Sequence, residues 1–488
     1  MSVHAALKPP ETGHPRRTTI LALMSACTVV TIALVAAINL ALPSLAADAL
    51  RPSSSGLLWI VDAYVIVFAC LLIPAGAFGD RFGRKGTLIG GLAVFALGCV
   101  LAAVAPTVPV LIAGRALSGA GAALIMPATL SIVVHAFPSD RRGQAIATWT
   151  AATGAAGVVG NVGGGLVLQY LSWRGLFWLV APAAIVLLTL TARLAPRIER
   201  HETPLDLPGS GLLIAAFLGL LYGVIEGPEK GWASAEVLAG FAVAAVLTAV
   251  FTVYALRAKN PVVDPRYFRD PRLRAGALGV TATFLGLFGV FFVNAQYLQY
   301  VKDYSPVVTG IAIGPMAIAM IAVSRRAGAI AARVGQARVI VGGMLTIAVG
   351  LSLLSLVDAT TPYPLYAVYL VVMAVGLGLC LPALSTAIVA AVPHHRAGLG
   401  SGLNSATREV GSALGVAVVG TIMTTTFTSG LPTGVRDQAT SVAAALAAGG
   451  DKRAVLDAFT DAMASGYRVT AVVLAACALA VGRWLRRG

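Results

Sequence analysis

An ionisable side chain inside a long apolar run is costly to bury, so such residues are the first place to look for chemistry. Asp62 and Arg115 each stand in a run of this kind, Arg408 and Glu409 sit side by side in another, and Glu226 closes a fourth beside Gly227 and Pro228. Asp62 lies about five residues in from the end of its run and Arg115 about seven, which puts both roughly 8–10 Å deep at ~1.5 Å per residue. Matched depth allows an ion pair or a shared hydrated cavity, where a carboxylate can exchange a proton or hold a cation. The structural alternatives are a fixed salt bridge between two helices, or an Asp62 that snorkels into interfacial water. Neighbouring helical residues point in different directions, so Arg408 and Glu409 cannot both face one cavity. Glu409 is the cavity candidate of the two, with Asn39, Tyr64 and Gln296 as further polar groups within or near apolar runs.

Other chemistries lack their residues. The chain has no Gly-Lys dipeptide and hence no phosphate-binding loop ending in Gly-Lys-Ser/Thr. No Gly-x-Ser-x-Gly elbow occurs. His394-His395 has no acidic companion nearby, so no metal site is expected. Neither a cofactor nor an enzymatic activity is expected either.

The elements that must position these groups follow from composition. The 488 residues are 58% hydrophobic and 11% charged, with a mean hydropathy of +0.86. Soluble domains carry about 25% charged residues. Apolar runs of about twenty residues have the length of bilayer-crossing helices, and all five cysteines fall inside such runs, which excludes a secreted disulfide scaffold. Breaks at charged and Pro/Gly-rich segments give fourteen spans, from Ile20–Pro43 to Gly466–Arg483, the tenth being Pro306–Ser324. Ser44-Leu45-Ala46 resembles a signal cleavage site, but the apolar stretch before it is about 24 residues, beyond a ~7–15-residue signal core. It reads as a retained first helix. Most of the 35 Lys and Arg residues fall in segments that would be cytoplasmic with both termini inside. The net charge of +15 is therefore topological and gives no support to nucleic-acid binding.

The chain also repeats itself. Gly76-Ala-Phe-Gly79-Asp80-Arg81-Phe-Gly83-Arg84-Lys85 after the second span has a weaker copy in Gly328 to Arg338 after the tenth. Arg142-Gly143-Gln144 before the fifth span has a counterpart in Arg396-Ala397-Gly398 before the thirteenth. The expected organisation is a tail (residues 1–19), a six-helix half (20–208), two inserted helices (209–257) and a second six-helix half (258–488) with an outer loop at 429–465. Duplicated halves around a central path are a transporter architecture. Glycines at 79 and 83 permit a tight turn between helices. Gly154, Gly157, Gly160 and Gly164 form a stripe that lets helices approach and slide. Within the outer loop, Asp451–Met463 reads as a short amphipathic surface cap.

Several of these motifs carry a family resemblance. The Gly76–Lys85 loop resembles the signature loop of the major facilitator superfamily, and Leu111 to Gly121 is similar to its helix-four arginine motif. The glycines of span five, followed by Ser172-Trp173-Arg174, resemble the antiporter motif. Asn39 to Pro43 and Trp59 to Tyr64 are similar to the fourteen-helix drug:proton antiporters. The resemblance implies an all-α membrane fold of two six-helix halves plus two extra helices, in a bacterial plasma membrane. It implies proton-coupled export of an antibiotic, drug or other amphipathic toxic compound by alternating access. Its partners would be a small-molecule substrate, protons and membrane lipids, with the chain acting as a monomer. Asp62 and Arg115 would couple proton and substrate; Gly76, Asp80, Arg81, Gly83 and Arg84 would latch the cytoplasmic gate; Gly154, Gly157, Gly160, Asn161 and Gly164 would form the antiporter hinge. Two positions depart from the pattern: Leu34 stands where the family usually has an acid, and Asn161 where it has a proline. The first departure favours a lipid or metabolite transporter with weaker proton coupling as the alternative.

Overall fold

The computed structural model describes residues 14–138, 141–197, 206–259, 261–391, 397–436, 442–447 and 451–486. Their apolar runs fold into long helices: α1 (Arg17–Leu40), α2 (Ser54–Phe82), α3 (Arg84–Ala103), α4 (Val108–Ala136), α5 (Arg142–Tyr170), α6 (Arg174–Leu194), α7 (Leu207–Lys230) and α8 (Ala235–Arg257). The second part holds α9 (Pro271–Gln296), α10 (Pro306–Ala312 continued by Gly314–Val334), α11 (Gln336–Leu354), α12 (Tyr363–Ala390), α13 (Ala397–Gly430) and α14 (Lys452–Leu485). Among the described residues, thirteen of the helices are long and apolar enough to cross a bilayer. The other long helix, α5, has 29 residues. The protein is a multi-pass membrane protein. The side where α1 begins and α14 ends is called the terminal side below, and the opposite one the far side.

The duplication read from short motifs extends to the packing. In the first half α1 packs on α5, α2 on α4, α3 on α4 and α3 on α6; eight helices later, α9 packs on α13, α10 on α12, α11 on α12 and α11 on α14. Helices α7 and α8 pack on each other, and α7 also touches α2 and α13, one helix from each half. The turns at the two loop copies match as well. Gly83 has φ +101° and Gly335 φ +94°, a left-handed region that side chains with a Cβ avoid. In each turn the glycine N–H bonds the carbonyl four residues back, Gly79 and Ala331, both at 2.9 Å. Gly83→Ala and Gly335→Ala should each cost about 1–2 kcal/mol, read as a lowered unfolding temperature of the purified protein. Equal unfolding temperatures in variant and wild type would show that neither turn needs the left-handed backbone.

Three expectations need correction. Gly79 does not belong to the turn: it is helical, and a Cβ there would meet the flexible Arg84 side chain at 3.1 Å. Helix α10 does not stop near Ser324 but runs on to Val334, past Arg325 and Arg326, because nothing before Gly335 breaks it. The Asp451–Met463 stretch is not a separate cap. Asp451 accepts a hydrogen bond from the Ala454 N–H, and Val455, Phe459, Ala462 and Met463 are buried, so the stretch continues directly into α14. Its charged residues had hidden a helix whose other face rests on the bundle.

Candidate functional site

Helix α2 is capped on the far side by Ser53, whose hydroxyl accepts from the Gly56 N–H at 3.0 Å. Two turns further in lies Asp62, fully buried, with no hydrogen-bond partner for either carboxylate oxygen. Arg115 on α4 is also fully buried, but it does not pair with Asp62. Its Nε donates to the Ile60 carbonyl at 2.9 Å and one terminal nitrogen to that of Val61 at 3.4 Å, while the guanidinium lies 4.6 Å from the centre of the Tyr64 ring. Tyr64 in turn donates to the Thr31 carbonyl of α1 at 3.0 Å. Arg115 thus ties the backbone on either side of Asp62 to α4 and leaves the acid without a donor. Lysine lacks the planar fork that reaches two carbonyls and stacks on a ring. Arg115→Lys should therefore lose one charged hydrogen bond, about 2 kcal/mol, and lower the unfolding temperature by several degrees. An unchanged unfolding temperature would mean that the guanidinium contacts contribute nothing to packing.

Asn39 is buried on α1, and its side-chain amide donates to the Val35 carbonyl at 2.8 Å, while its amide oxygen has no partner. Asn161 likewise donates to the carbonyl one turn back, Gly157, at 2.8 Å. Where the family pattern has proline, α5 therefore continues unbroken, with an extra side-chain bond. The glycine stripe divides. Gly160 and Gly164 pack on α1, where added Cβ atoms would collide with the Ala33 backbone and with Ala37, whereas Gly157 has nothing within 4 Å. The surroundings of Gly154 and the side chain of Asp80 lie outside the described residues, as do His394 and His395. Around the loop, Gly76 faces Pro127, Arg81 lies over Phe82, and Lys85 donates to the Ala195 carbonyl at 2.8 Å. Those contacts all stay within the first half.

The two halves meet on the far side. Gly310 at the start of α10 abuts the Asn161 carbonyl of α5, and Gly165 of α5 faces Pro306, so closely that neither glycine has room for a Cβ. Gly420 of α13 abuts Leu58 of α2. The far end of α9 winds into a π-helical turn, Tyr297–Val301, from which Gln299 donates to the Leu40 carbonyl at 3.0 Å and Tyr300 to that of Pro43 at 3.4 Å. Gln296, one residue earlier, lines a small cavity of about 50 Å³ together with Ser54, Tyr300 and Phe459. Helix α5 packs on the Pro306–Ala312 part of α10, whereas toward the terminal side an added Cβ at Gly328 would meet nothing within 4 Å, and a cavity of about 510 Å³ lies between α2 and α13. The far side is closed and the terminal side is parted.

Along α2, Asp62 follows Leu58 by four residues, one helical turn, so both lie on the face that meets α13. Along α13, Glu409 precedes Gly420 by eleven residues, about three turns, which returns it to the face that meets α2. Asp62 is enclosed beneath the seal, whereas Glu409 is partly exposed beside Ala406 and Val410, which line the larger cavity. Arg408 points away, its guanidinium 4.9 Å from the Phe284 ring centre on α9.

Glu226, read from sequence only as the end of an apolar run, has partners on two helices. Its carboxylate accepts from the Trp59 indole of α2 at 2.9 Å and lies 3.8 Å from Lys230, while Thr421 of α13 donates to the adjacent Val224 carbonyl at 2.9 Å. The inserted α7 is thus bonded to both halves at the far end. Sequence reasoning also missed Asp48, which accepts from the Trp173 indole at 2.9 Å and pairs with Arg174 at 3.4 Å. Burial alone would raise its pKa, but donation from Trp173, the Leu50 N–H and Arg174 outweighs that and holds the carboxyl below its usual range. A lone loop acid gives no signal of this in a sequence.

Residues 24–416 match the model of the Major Facilitator Superfamily. Multidrug resistance protein Stp of Mycobacterium tuberculosis is 32% identical over 79% of this chain and 72% of its own. Methylenomycin A resistance protein of Streptomyces coelicolor is 33% identical over 78% and 80%. A crystal structure of a bacterial homologue of the human lysosomal transporter Spinster, inward-facing and unoccupied, superposes with a TM-score of 0.71 at 18% identity, covering 97% of both chains. The chain belongs to the major facilitator superfamily of membrane transporters, and its curated relatives are named for multidrug and antibiotic resistance.

Proposed function

We propose that the protein is a proton-coupled exporter of antibiotics or other amphipathic toxic compounds, working by alternating access with its terminal side in the cytoplasm. The observation that carries this reading is the placement of Asp62 and Glu409 on the facing sides of one seam between the halves, at different depths. With the far side closed, Asp62 is sealed and without a hydrogen-bond donor, a costly setting for a bare carboxylate. Parting Leu58 from Gly420 would bring water to Asp62 and bury Glu409 as the other end closes. Each acid is then wet in the state in which the other is dry, which is what coupling a proton to a cargo requires. Arg115, fixed on the α2 backbone, holds Asp62 in place, and the loop from Gly76 to Arg84 would meet the second half when the terminal side closes. The names of relatives support the cargo class, and the excess of Lys and Arg in the terminal-side segments supports the orientation.

Leu34, buried at 1% exposure where the family has an acid, favours a second reading: a lipid or metabolite transporter with weak proton coupling. Everted membrane vesicles separate the two. Uptake of methylenomycin A, puromycin or methyl viologen should follow an imposed pH gradient and stop when a protonophore collapses it. Uptake indifferent to the protonophore would favour the second reading. No uptake of any compound across a wider panel would overturn both.

A further inference from the structure

The cavity of about 510 Å³ lies between α2 (Ala69, Pro74) and α13 (Leu403, Ala406), roofed by α7 and α8 (Phe217, Ala245). Its size falls in the ~300–1,000 Å³ range of pockets that hold ligand-sized molecules. Among the described residues the lining side chains are apolar except for the Cys70 thiol and two hydroxyls, and both hydroxyls are already bonded to their own helices. Ser210 donates to the Asp206 carbonyl at 2.7 Å and Thr248 to that of Ala244 at 2.7 Å. A drug with polar groups would find no partner here, whereas a hydrocarbon chain needs none.

The floor on the terminal side is rigid. Asp206 accepts from the Gly209 N–H, the Tyr254 hydroxyl at 2.6 Å and the N–H of Val262, which itself lines the cavity, at 2.7 Å. Just past that floor the chain exposes Arg257, Lys259, Arg266 and Arg269. The two acids among them, Asp264 and Asp270, are turned to the N–H groups of Arg266 and Arg272. An apolar slot that ends in a cluster of cations has the chemistry of an anionic lipid.

We propose that this cavity seats an acyl chain of an anionic phospholipid from the leaflet on the terminal side, with its headgroup on the Arg257–Arg269 segment. One wall belongs to each half, so a chain lodged there holds α2 and α13 apart and favours the state that is open on the terminal side. That consequence rests on the alternating-access reading; the lipid site itself does not.

The test is native mass spectrometry of the full chain in detergent, titrated with phosphatidylglycerol and with phosphatidylcholine of the same acyl chains. Wild type should retain one phosphatidylglycerol in preference to phosphatidylcholine. Ala245→Trp, which fills the slot, should abolish retention of both lipids. Arg257→Gln with Arg266→Gln should weaken phosphatidylglycerol by about fivefold per charge and leave phosphatidylcholine unchanged. The charge variant lies outside the bundle, so it reads the site even if Ala245→Trp fails to fold. Equal binding of the two lipids to wild type would overturn the proposal, as would undiminished binding to a folded Ala245→Trp. Displacement of phosphatidylglycerol by puromycin, one for one, would overturn it too and assign the slot to cargo. None of these readouts involves transport, so a failure of the exporter reading remains distinguishable.

Discussion

Asp62→Asn should leave a folded protein that no longer concentrates any compound against a gradient. The side chain is fully buried and neither of its oxygens has a hydrogen-bond partner. Asparagine has nearly the same shape and carries no charge to be stranded, so the unfolding temperature should stay within a degree or two of wild type. Coupling, in contrast, should disappear. A proton moving through ~100 mV supplies roughly 2.3 kcal/mol, which sustains about a fiftyfold concentration ratio of an exported neutral compound at one proton per cycle. With no group at position 62 to carry the proton, that ratio should fall to about one, and compound-induced proton release in detergent should vanish. Vesicles that still concentrate compound under a pH gradient with Asp62→Asn would place the coupling proton elsewhere. Glu409 would then be the next group to test, and Glu409→Gln should separate the two cases by removing whatever gradient-driven uptake remains.

Why Asp62 stood out in the sequence while its geometry did not has a physical answer. The cost of an acid in an apolar run is a local property, and so is its depth, counted in residues from the end of the run. Whether it pairs with Arg115 depends on the rotation of two helices about their axes, which no local pattern encodes. The partners of Arg115 proved to be the Ile60 and Val61 carbonyls, and backbone carbonyls are the same at every residue. Trp59 and Glu226 are 167 residues apart, and their bond exists only because α7 docks across both halves. The fourteen-helix plan was legible because each apolar run is close to a bilayer in length. The first part of α14 escaped because its polar face diluted the run, although its buried face, from Val455 to Met463, is apolar. Glycine spacing in α5 announced close approach, yet could not say that Gly160 faces its own half and Gly165 the other.

That division of glycines leads to the second large effect. A Cβ at Gly160 would run into the Ala33 carbonyl of α1, a contact inside one half that should persist through the whole transport cycle. A Cβ at Gly310 would run into the Asn161 carbonyl of α5, a contact between halves that, on the alternating-access proposal, exists only while the far side is closed. Overpacking of this kind costs about 1–3 kcal/mol, but the two substitutions place the cost on different equilibria. Gly160→Ala should destabilise the fold and lower the unfolding temperature. Gly310→Ala should spare the fold and raise the population open on the far side by roughly 5- to 150-fold. A cysteine placed at Leu58, whose side chain meets Gly420 in the seal, supplies the readout: its labelling by a membrane-impermeant maleimide should rise sharply with Gly310→Ala and stay at the background level with Gly160→Ala. Export should slow in the Gly310 variant, because each return to the state open on the terminal side must force that contact closed. If Gly310→Ala lowered the unfolding temperature as much as Gly160→Ala and left labelling unchanged, the contact between α5 and α10 would be a permanent part of the core. The far-side seal would then not be the moving part, and the alternation of Asp62 and Glu409 between wet and dry would lose its structural basis.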